Sequence, residues 1–393
     1  MRNLSSLMIC LIILIYSVKC HIEDNYIIGI YKIDKPGKYL IINSYSNFYY
    51  EFDRIEQPTL KLPYRTELDN TKEVEGCTMY VNNIKEKFSY YKTFEKRGIY
   101  KIKFKFNQLL KSTSYMFRDV YKNLIKVELS HLNTKHLIYM ENMFDTCKDL
   151  FFVDFSNFVG ENVISTKSLF IYCKSIKSID MTSFKPKKLE KIEGMFERCE
   201  NLSELKIKFN VEKVESFRSL FLGCLKLKKL DLSSFHTNNA KNMEDMFFNC
   251  ESLTSLDITN FYTSKVTNMG FMFSGCKSLS QIRVDNFNTH KVINMNGIFN
   301  DCESLTSLNL LKWNTIYVEE MRSMFDNCHS LTSLDISSFR SYNVKDSYRM
   351  FFNCKSLQVL DLSNFPISTI RRRDKMFNYC PAKIIFSPED NEE

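Results

Sequence analysis

Residues 246–268 read MFFNCESLTSLDITNFYTSKVTN, and the stretch returns as MFSGCKSLSQIRVDNFNTHKVIN at 272–294 and as MFDNCHSLTSLDISSFRSYNVKD at 324–346. The phenylalanine in its opening Met-Phe recurs at Phe117, Phe144, Phe170, Phe196, Phe221, Phe247, Phe273, Phe299, Phe325, Phe351 and Phe377, in steps of 27, 26, 26, 25 and then 26 six times. A fixed period of this length marks a stacked solenoid: one repeat cannot bury its own apolar face, and its neighbours do so. Each copy has two halves. Leu253, Leu256, Ile258 and Phe261 follow L-x-x-L-x-[LI]-x-x-F, whose alternation predicts a short strand. Val266, Met269, Met272, Phe273 and Cys276 follow V-x-x-M-x-x-M-F-x-x-C, and offsets of 3, 6, 7 and 10 predict one face of a short helical segment. The expected fold is an α/β solenoid of about ten 26-residue repeats with an N-terminal β-rich cap. Strands ~4.8 Å apart give it a length of roughly 50 Å.

Thirteen cysteines invite a disulfide framework, but position argues for core. Cys147, Cys173, Cys199, Cys224, Cys250, Cys276, Cys302, Cys328, Cys354 and Cys380 each follow the repeat phenylalanine by three residues, and in the first repeat that slot holds Val120. Valine replaces a small buried apolar group, not a disulfide partner or a metal ligand. The reading is a structural ladder of buried free thiols. Cross-linking of neighbouring repeats is the alternative, because stacking brings equivalent Cα atoms to about 5 Å. A metal site lacks the Cys-x-x-Cys or His partner it needs.

The MFxxCxxLxxLxLSxF signature, repeated over residues 112–386, resembles leucine-rich repeats and, within them, the BspA-like class of bacterial and protist surface proteins. The resemblance implies a right-handed superhelix whose strands line one continuous outward sheet. It also implies a surface-exposed or secreted binding or adhesion protein, with ligands that differ between members. One departure stands out. Receptor-type repeats place Asn where this chain has Phe158, Phe184, Phe235, Phe261, Phe287, Trp313, Phe339 and Phe365. Rings are expected to fill the interior in place of an Asn ladder.

Outside the repeats, residues 1–20 (MRNLSSLMICLIILIYSVKC) have the form of a signal peptide, with an uncleaved anchor as the alternative. Residues 21–108 lack the period and are rich in Tyr, Ile and Lys. NYIIGIYKI, KYLIINSY, MYVNNIKEKFSYY and GIYKIKFKF read as strands, with Asn82-Asn83 as a hairpin turn. A β-rich cap over the first repeat is expected there, and a separate ligand-binding module is the alternative. The solenoid is assigned to 109–386, and 387–393 (SPEDNEE) to an acidic disordered tail with neither a lipid-anchor nor an ER-retention signal. The expected location is secreted and extracellular, with retention at the cell surface left open.

Formal charge is +8 and falls to +6 once Arg2 and Lys19 leave with the signal. Basic clusters at Lys185, Lys187, Lys188 and Lys191, at Lys226, Lys228 and Lys229, and at Arg371–Arg373 are either a polyanion patch or solvated loop charge. Export and the lack of a reading motif argue against nucleic acid.

Catalysis finds no support. The six histidines are scattered, and no H-E-x-x-H, G-x-S-x-G or Gly-rich phosphate loop occurs. No enzyme activity, cofactor or metal is expected. The candidate site is instead the outward strand row Asp154, Asp180, Asp231, Asp257, Arg283, Asp335 and Asp361, with Ser or Thr two residues beyond most of the acids. Stacked carboxylates repel one another, which favours a basic protein segment or weakly held Ca²⁺. The plain alternative is that Asp-x-Ser is what this repeat uses on a solvated strand. The function expected is recognition or adhesion toward an extracellular or cell-surface protein or glycan, with a self-associating structural coat as runner-up.

Overall fold

The computed structural model describes residues 25–49 and 64–390, so the expected signal segment 1–20 lies outside the described residues. The N-terminal region contributes β1 (Tyr26–Ile33), β2 (Gly37–Leu40), β3 (Thr78–Val81), β4 (Ile84–Glu86), β5 (Tyr91–Phe94) and β6 (Gly98–Lys105). The coils contribute β7 (Leu124–Glu128), β8 (Phe152–Asp154), β9 (Ser178–Asp180), β10 (Glu204–Lys206), β11 (Ser307–Asn309), β12 (Ser333–Asp335), β13 (Val359–Asp361) and β14 (Lys383–Ile385). One sheet runs in the order β4-β3-β6-β1-β7-β8. In it β1 lies antiparallel to both β6 and β7, and β7 lies parallel to β8. The N-terminal sheet thus continues into the first coil and covers the edge that β7 would otherwise leave unpaired.

The alternation in β6 sends Ile102 and Phe104 into the core, while Ile99 on the lysine face is 58% exposed. Asn82 and Asn83 both have positive φ (48° and 70°) between β3 and β4, the geometry of a type I′ hairpin turn. The two halves of the described chain are also clamped by charge. Arg65 donates to both carboxylate oxygens of the buried Glu141, at 2.7 and 3.3 Å.

The solenoid stands, but its second half is not helical. The segment around each repeat phenylalanine is a ribbon of tight turns. In one coil Met246, Phe248 and Cys250 donate three residues back, to Met243, Asp245 and Phe247, while Asp245, Phe247 and Asn249 donate to Gly270, Met272 and Ser274 of the next coil. Alternate N–H groups therefore leave the coil, whereas a helix would keep them all inside it. The turns need positive φ two residues before and two after the phenylalanine, as at Asp245 (56°) and Asn249 (55°). Glycine fills such positions at Gly194, Gly223, Gly275 and Gly297, with φ between 52° and 72°. A second parallel ladder flanks the ribbon, bridging Asn242, Asn268, Asn294, Glu320, Asp346 and Arg372 in succession.

Three interior columns hold the coils in register. The repeat phenylalanines stack ring on ring from Phe117 to Phe377, with centroids 5.3–6.0 Å apart and planes within 17° of parallel. Their spacing exceeds the strand repeat, so the rings are offset, the arrangement their quadrupoles favour. The second column consists of cysteines. From Cys147 to Cys354 each Sγ–H donates to the carbonyl of the repeat phenylalanine one coil earlier, at 3.0–3.3 Å. These thiols are free and buried, while Cys380 at the end is half-buried.

The third column is a row of buried hydroxyls that the sequence reading missed. Thr237, Thr263, Thr289 and Thr315 each donate to a carbonyl of the next coil and accept the N–H of a residue there. The expected rings do fill the interior, with Phe158, Phe184, Phe261 and Trp313 all buried, but they do not wholly replace an Asn ladder. Asn260 and Asn286, just before the second aromatic, donate to carbonyls of the preceding coil at 2.9–3.3 Å. The Asn ladder is present in part, one residue earlier than the aromatic.

At the C-terminal end β14 pairs in parallel with β13. The expected disordered tail is in part tied down: Pro388–Asp390 form a 3-10 turn, and the Asp390 carboxylate accepts the N–H groups of Ile367 (3.0 Å) and Ser368 (2.8 Å). Composition alone missed this docking because it comes from one carboxylate meeting two half-buried amides.

Candidate binding face

Alternation within each strand sets the face. Ile179 in β9 is buried while Ser178 and Asp180 point out, and β10, β11, β12 and β13 repeat that pattern. Asp180, Asp231, Asp257, Arg283, Asp335 and Asp361 are all exposed, and Asp154 is half-buried. The structure thus brings the seven residues to one side of the solenoid.

The acids have local work there. Asp180 Oδ1 accepts the Thr182 N–H (3.0 Å) and hydroxyl (2.7 Å), and Asp257 Oδ1 does the same with Thr259 (3.1 and 2.7 Å). Asp231, Asp335 and Asp361 accept the N–H of Ser233, Ser337 and Ser363 at 2.8–3.0 Å. Each closes the turn that leaves the strand, an Asx-turn. Hydrogen bonds from the residue two on hold Asp180, Asp231, Asp257 and Asp361 below the usual carboxylate range. Partial burial opposes the same effect at Asp154, whose carboxyl is nevertheless lowered. These groups are charged at neutral pH. Oδ1 serves the turn, so Oδ2 is the atom left to meet a ligand; only Asp180 Oδ2 has an ion partner, Lys206 at 3.3 Å.

The face is not one unbroken sheet. Ladder pairing links β9 to β10 and β11 to β12, but the segments carrying Asp231, Asp257 and Arg283 have no assigned strand. A groove of about 770 Å³ opens there. Asp257, Arg283, Asp285 and Asn309 line it together with Thr254, Ser255, Ser280 and Ser307, above the buried Leu256, Ile282 and Val284. A second groove, about 350 Å³, lies between Asp154 and Asp180, close to Lys206.

Charge elsewhere on the coils is largely spent between neighbours. Glu161–Lys187 (2.9 Å), Glu215–Lys241 (2.8 Å), Glu251–Lys277 (2.9 Å) and Glu319–Lys345 are ion pairs one coil apart. In the C-terminal basic cluster Arg372 pairs with Asp346 (3.2 Å), and Arg373 donates to the carbonyls of Ile367, Ser368 and Ile370. Among the described residues no helix is long and apolar enough to cross a membrane.

Comparison with known proteins bears on the repeats. A family model described as "Mycoplasma protein of unknown function, DUF285" matches in five overlapping stretches, residues 72–179, 111–223, 164–283, 191–307 and 280–384. No curated protein sequence matches. Among solved structures, a chain of "Crystal structure of TLR13-ssRNA13 complex" is similar at 17% identity and a TM-score of 0.29, covering 68% of this chain and 40% of that one. The chain thus spans less than half the length of that neighbour.

Proposed function

The chain belongs to the family described as Mycoplasma protein of unknown function, DUF285, and from that footing we propose that it is an exported recognition protein whose strand face binds a basic segment of an extracellular macromolecule. One observation carries the reading. A row of carboxylates, kept ionised by their own turns, presents its spare oxygens beside an open groove. Solenoids characteristically bind along such extended surfaces. The likeness to BspA-like leucine-rich repeat proteins points the same way and suggests adhesion or recognition at a cell surface.

The test exploits the double role of the acids. Asn309 already occupies one of these positions and accepts the Leu311 N–H through Oδ1 (3.3 Å), so Asp257→Asn with Asp335→Asn keeps the turns and removes two charges. Binding of a lysine-rich decapeptide to the full chain, followed by calorimetry at low salt, is expected to weaken about tenfold or more. Unchanged binding would refute the acidic-face reading. Concentration-dependent assembly without peptide binding would favour a self-associating coat.

A further inference from the structure

A groove of about 1040 Å³ lies where the N-terminal sheet meets the first two coils, away from the strand-face grooves. It is built from segments far apart in sequence: the β1–β2 turn and β2, Tyr91 at the start of β5, residues 119–123 and residues 148–149. Its size suits a ligand of several rings.

Its chemistry is two-tiered. Leu40, Tyr39 and Tyr91 are half-buried and Val120 is buried, which makes an apolar and aromatic floor. Lys35, Lys38, Lys122 and Lys148 are exposed along the rim. Two of these ammonium groups are already set over rings: Lys38 Nζ lies 5.1 Å from the Tyr91 centroid, and Lys148 Nζ lies 5.6 Å from that of Tyr121. Such contacts steer a lysine without neutralising it.

Among the described residues none of the four rim lysines forms an ion pair, unlike Lys187, Lys241 and Lys277. Three carboxylates line the same groove, and Asp34 is committed to Lys32 (3.3 Å). Asp119 and Asp149 remain against four lysines, so the groove carries a local positive excess.

We propose that this junction groove binds a carboxylated saccharide chain, whose flat C–H faces lie on the tyrosine rings while its carboxylates meet the lysine rim. A floor of ring faces under a rim of unpaired ammonium groups matches a ligand with one apolar face and an anionic edge. Sugar acids have that shape. An acidic peptide supplies the charge but not a flat apolar face for each ring. The site stands apart from the strand face, which favours the opposite charge.

The experiment uses the full chain and a hexasaccharide of alternating glucuronate and N-acetylglucosamine, with its carboxyl-reduced counterpart and hexaglutamate as comparators, measured by calorimetry. The expected results are binding of the acidic sugar, at least tenfold weaker binding of the reduced sugar and of the peptide, and weakening that grows with salt. Lys38→Gln with Lys122→Gln is expected to lower affinity at least tenfold. Tyr121→Ala is expected to weaken binding severalfold and Tyr121→Phe to retain it. Exposed lysines carry no fold, so the Lys variants stay folded by circular dichroism. No binding of the acidic sugar, equal binding of the reduced sugar, tighter binding of hexaglutamate, or indifference to the Lys pair would each overturn the proposal. Asp257→Asn with Asp335→Asn is expected to leave sugar binding unchanged; a matching loss there would place the sugar on the strand face instead and overturn the junction site.

Discussion

Replacing Phe247 by alanine removes a ring from the middle of the stacked column. Phe247 is fully buried and contacts Phe221 (5.5 Å, 17°) and Phe273 (5.7 Å, 4°). A buried Phe→Ala change costs about 3–5 kcal/mol. With stacking lost on both sides, each stack being worth about 0.5–1.5 kcal/mol beyond burial, the upper end of that range applies, about 5 kcal/mol. The control is Phe377→Ala at the C-terminal end. Phe377 is half-buried, stacks on Phe351 (5.9 Å) and meets Phe386 only edge-on (6.4 Å), so its loss should cost about 1–2 kcal/mol. In urea, with m near 3 kcal/mol/M, the first change lowers the midpoint by roughly 1.5 M and the second by about 0.5 M. Coils couple only to their neighbours, so a central lesion also divides the array into two cooperative blocks. Circular dichroism and hydrogen exchange should then report separate transitions for Phe247→Ala and coincident ones for Phe377→Ala. Equal costs for the two substitutions would refute a continuous, load-sharing ring column.

Other outcomes follow from single contacts. Thr289→Val keeps the shape but leaves the Asn314 N–H and carbonyl without their partner (2.7 and 2.9 Å), at about 1–3 kcal/mol, while Thr289→Ser should cost much less; chemical denaturation of both checks this. Burial, partly offset by Arg118 at 3.1 Å and reinforced by Asp119 and Glu197, pushes the Asp145 carboxyl up to about 6. Between the unfolded value near 4 and about 6 the folded state holds the extra proton, so this group's contribution to stability falls as pH rises through that window, by about 2–3 kcal/mol. Asp145→Asn should flatten the stability–pH profile from pH 4 to 6, and an unchanged slope would count against a buried carboxyl there. Asp180, Asp231, Asp257 and Asp361 act in the opposite sense: their lowered values stabilise the fold above the unfolded carboxylate range, and that contribution is lost as pH falls through their folded values. Asp257→Ala and Asp257→Asn should therefore soften the acid limb of the thermal profile alike, while Asp257→Asn, which keeps the turn acceptor, should lose less stability at neutral pH.

The period was legible because the Phe and Cys positions are core in every coil, and a core position tolerates few residue types. The helical expectation failed for a definite reason. Offsets of 3, 6, 7 and 10 put side chains on one face of a helix, and the turn ribbon puts the same side chains inward. The distinguishing signal was present in Gly194, Gly223, Gly275 and Gly297, which fall where each turn needs positive φ, with Asn249, Asn327 and Asn353 in equivalent places. Asn tolerates that conformation better than most residues do. The outward row of acids was also readable from alternation. Its local role was not recognised, although Asp followed two residues on by Ser or Thr is an Asx-turn pattern. The break in the strand ladder left no local signature, because the segments around Asp231, Asp257 and Arg283 carry the same repeat pattern as those that pair. The junction groove was illegible too, since it is assembled from segments such as Lys38, Tyr91, Lys122 and Lys148 that only the folded cap brings together.

The account rests on the period being an interior ladder that leaves the strand face to function. Counting thiols with and without denaturant, in the absence of reductant, tests this most directly. Among the described cysteines, native protein should expose at most the half-buried Cys380. Denaturation should then release all thirteen thiols of the full chain, or eleven if residues 1–20 and with them Cys10 and Cys20 are gone. Thiols still missing after denaturation would mean that neighbouring coils are cross-linked, and would contradict a ladder of free, carbonyl-bonded cysteines.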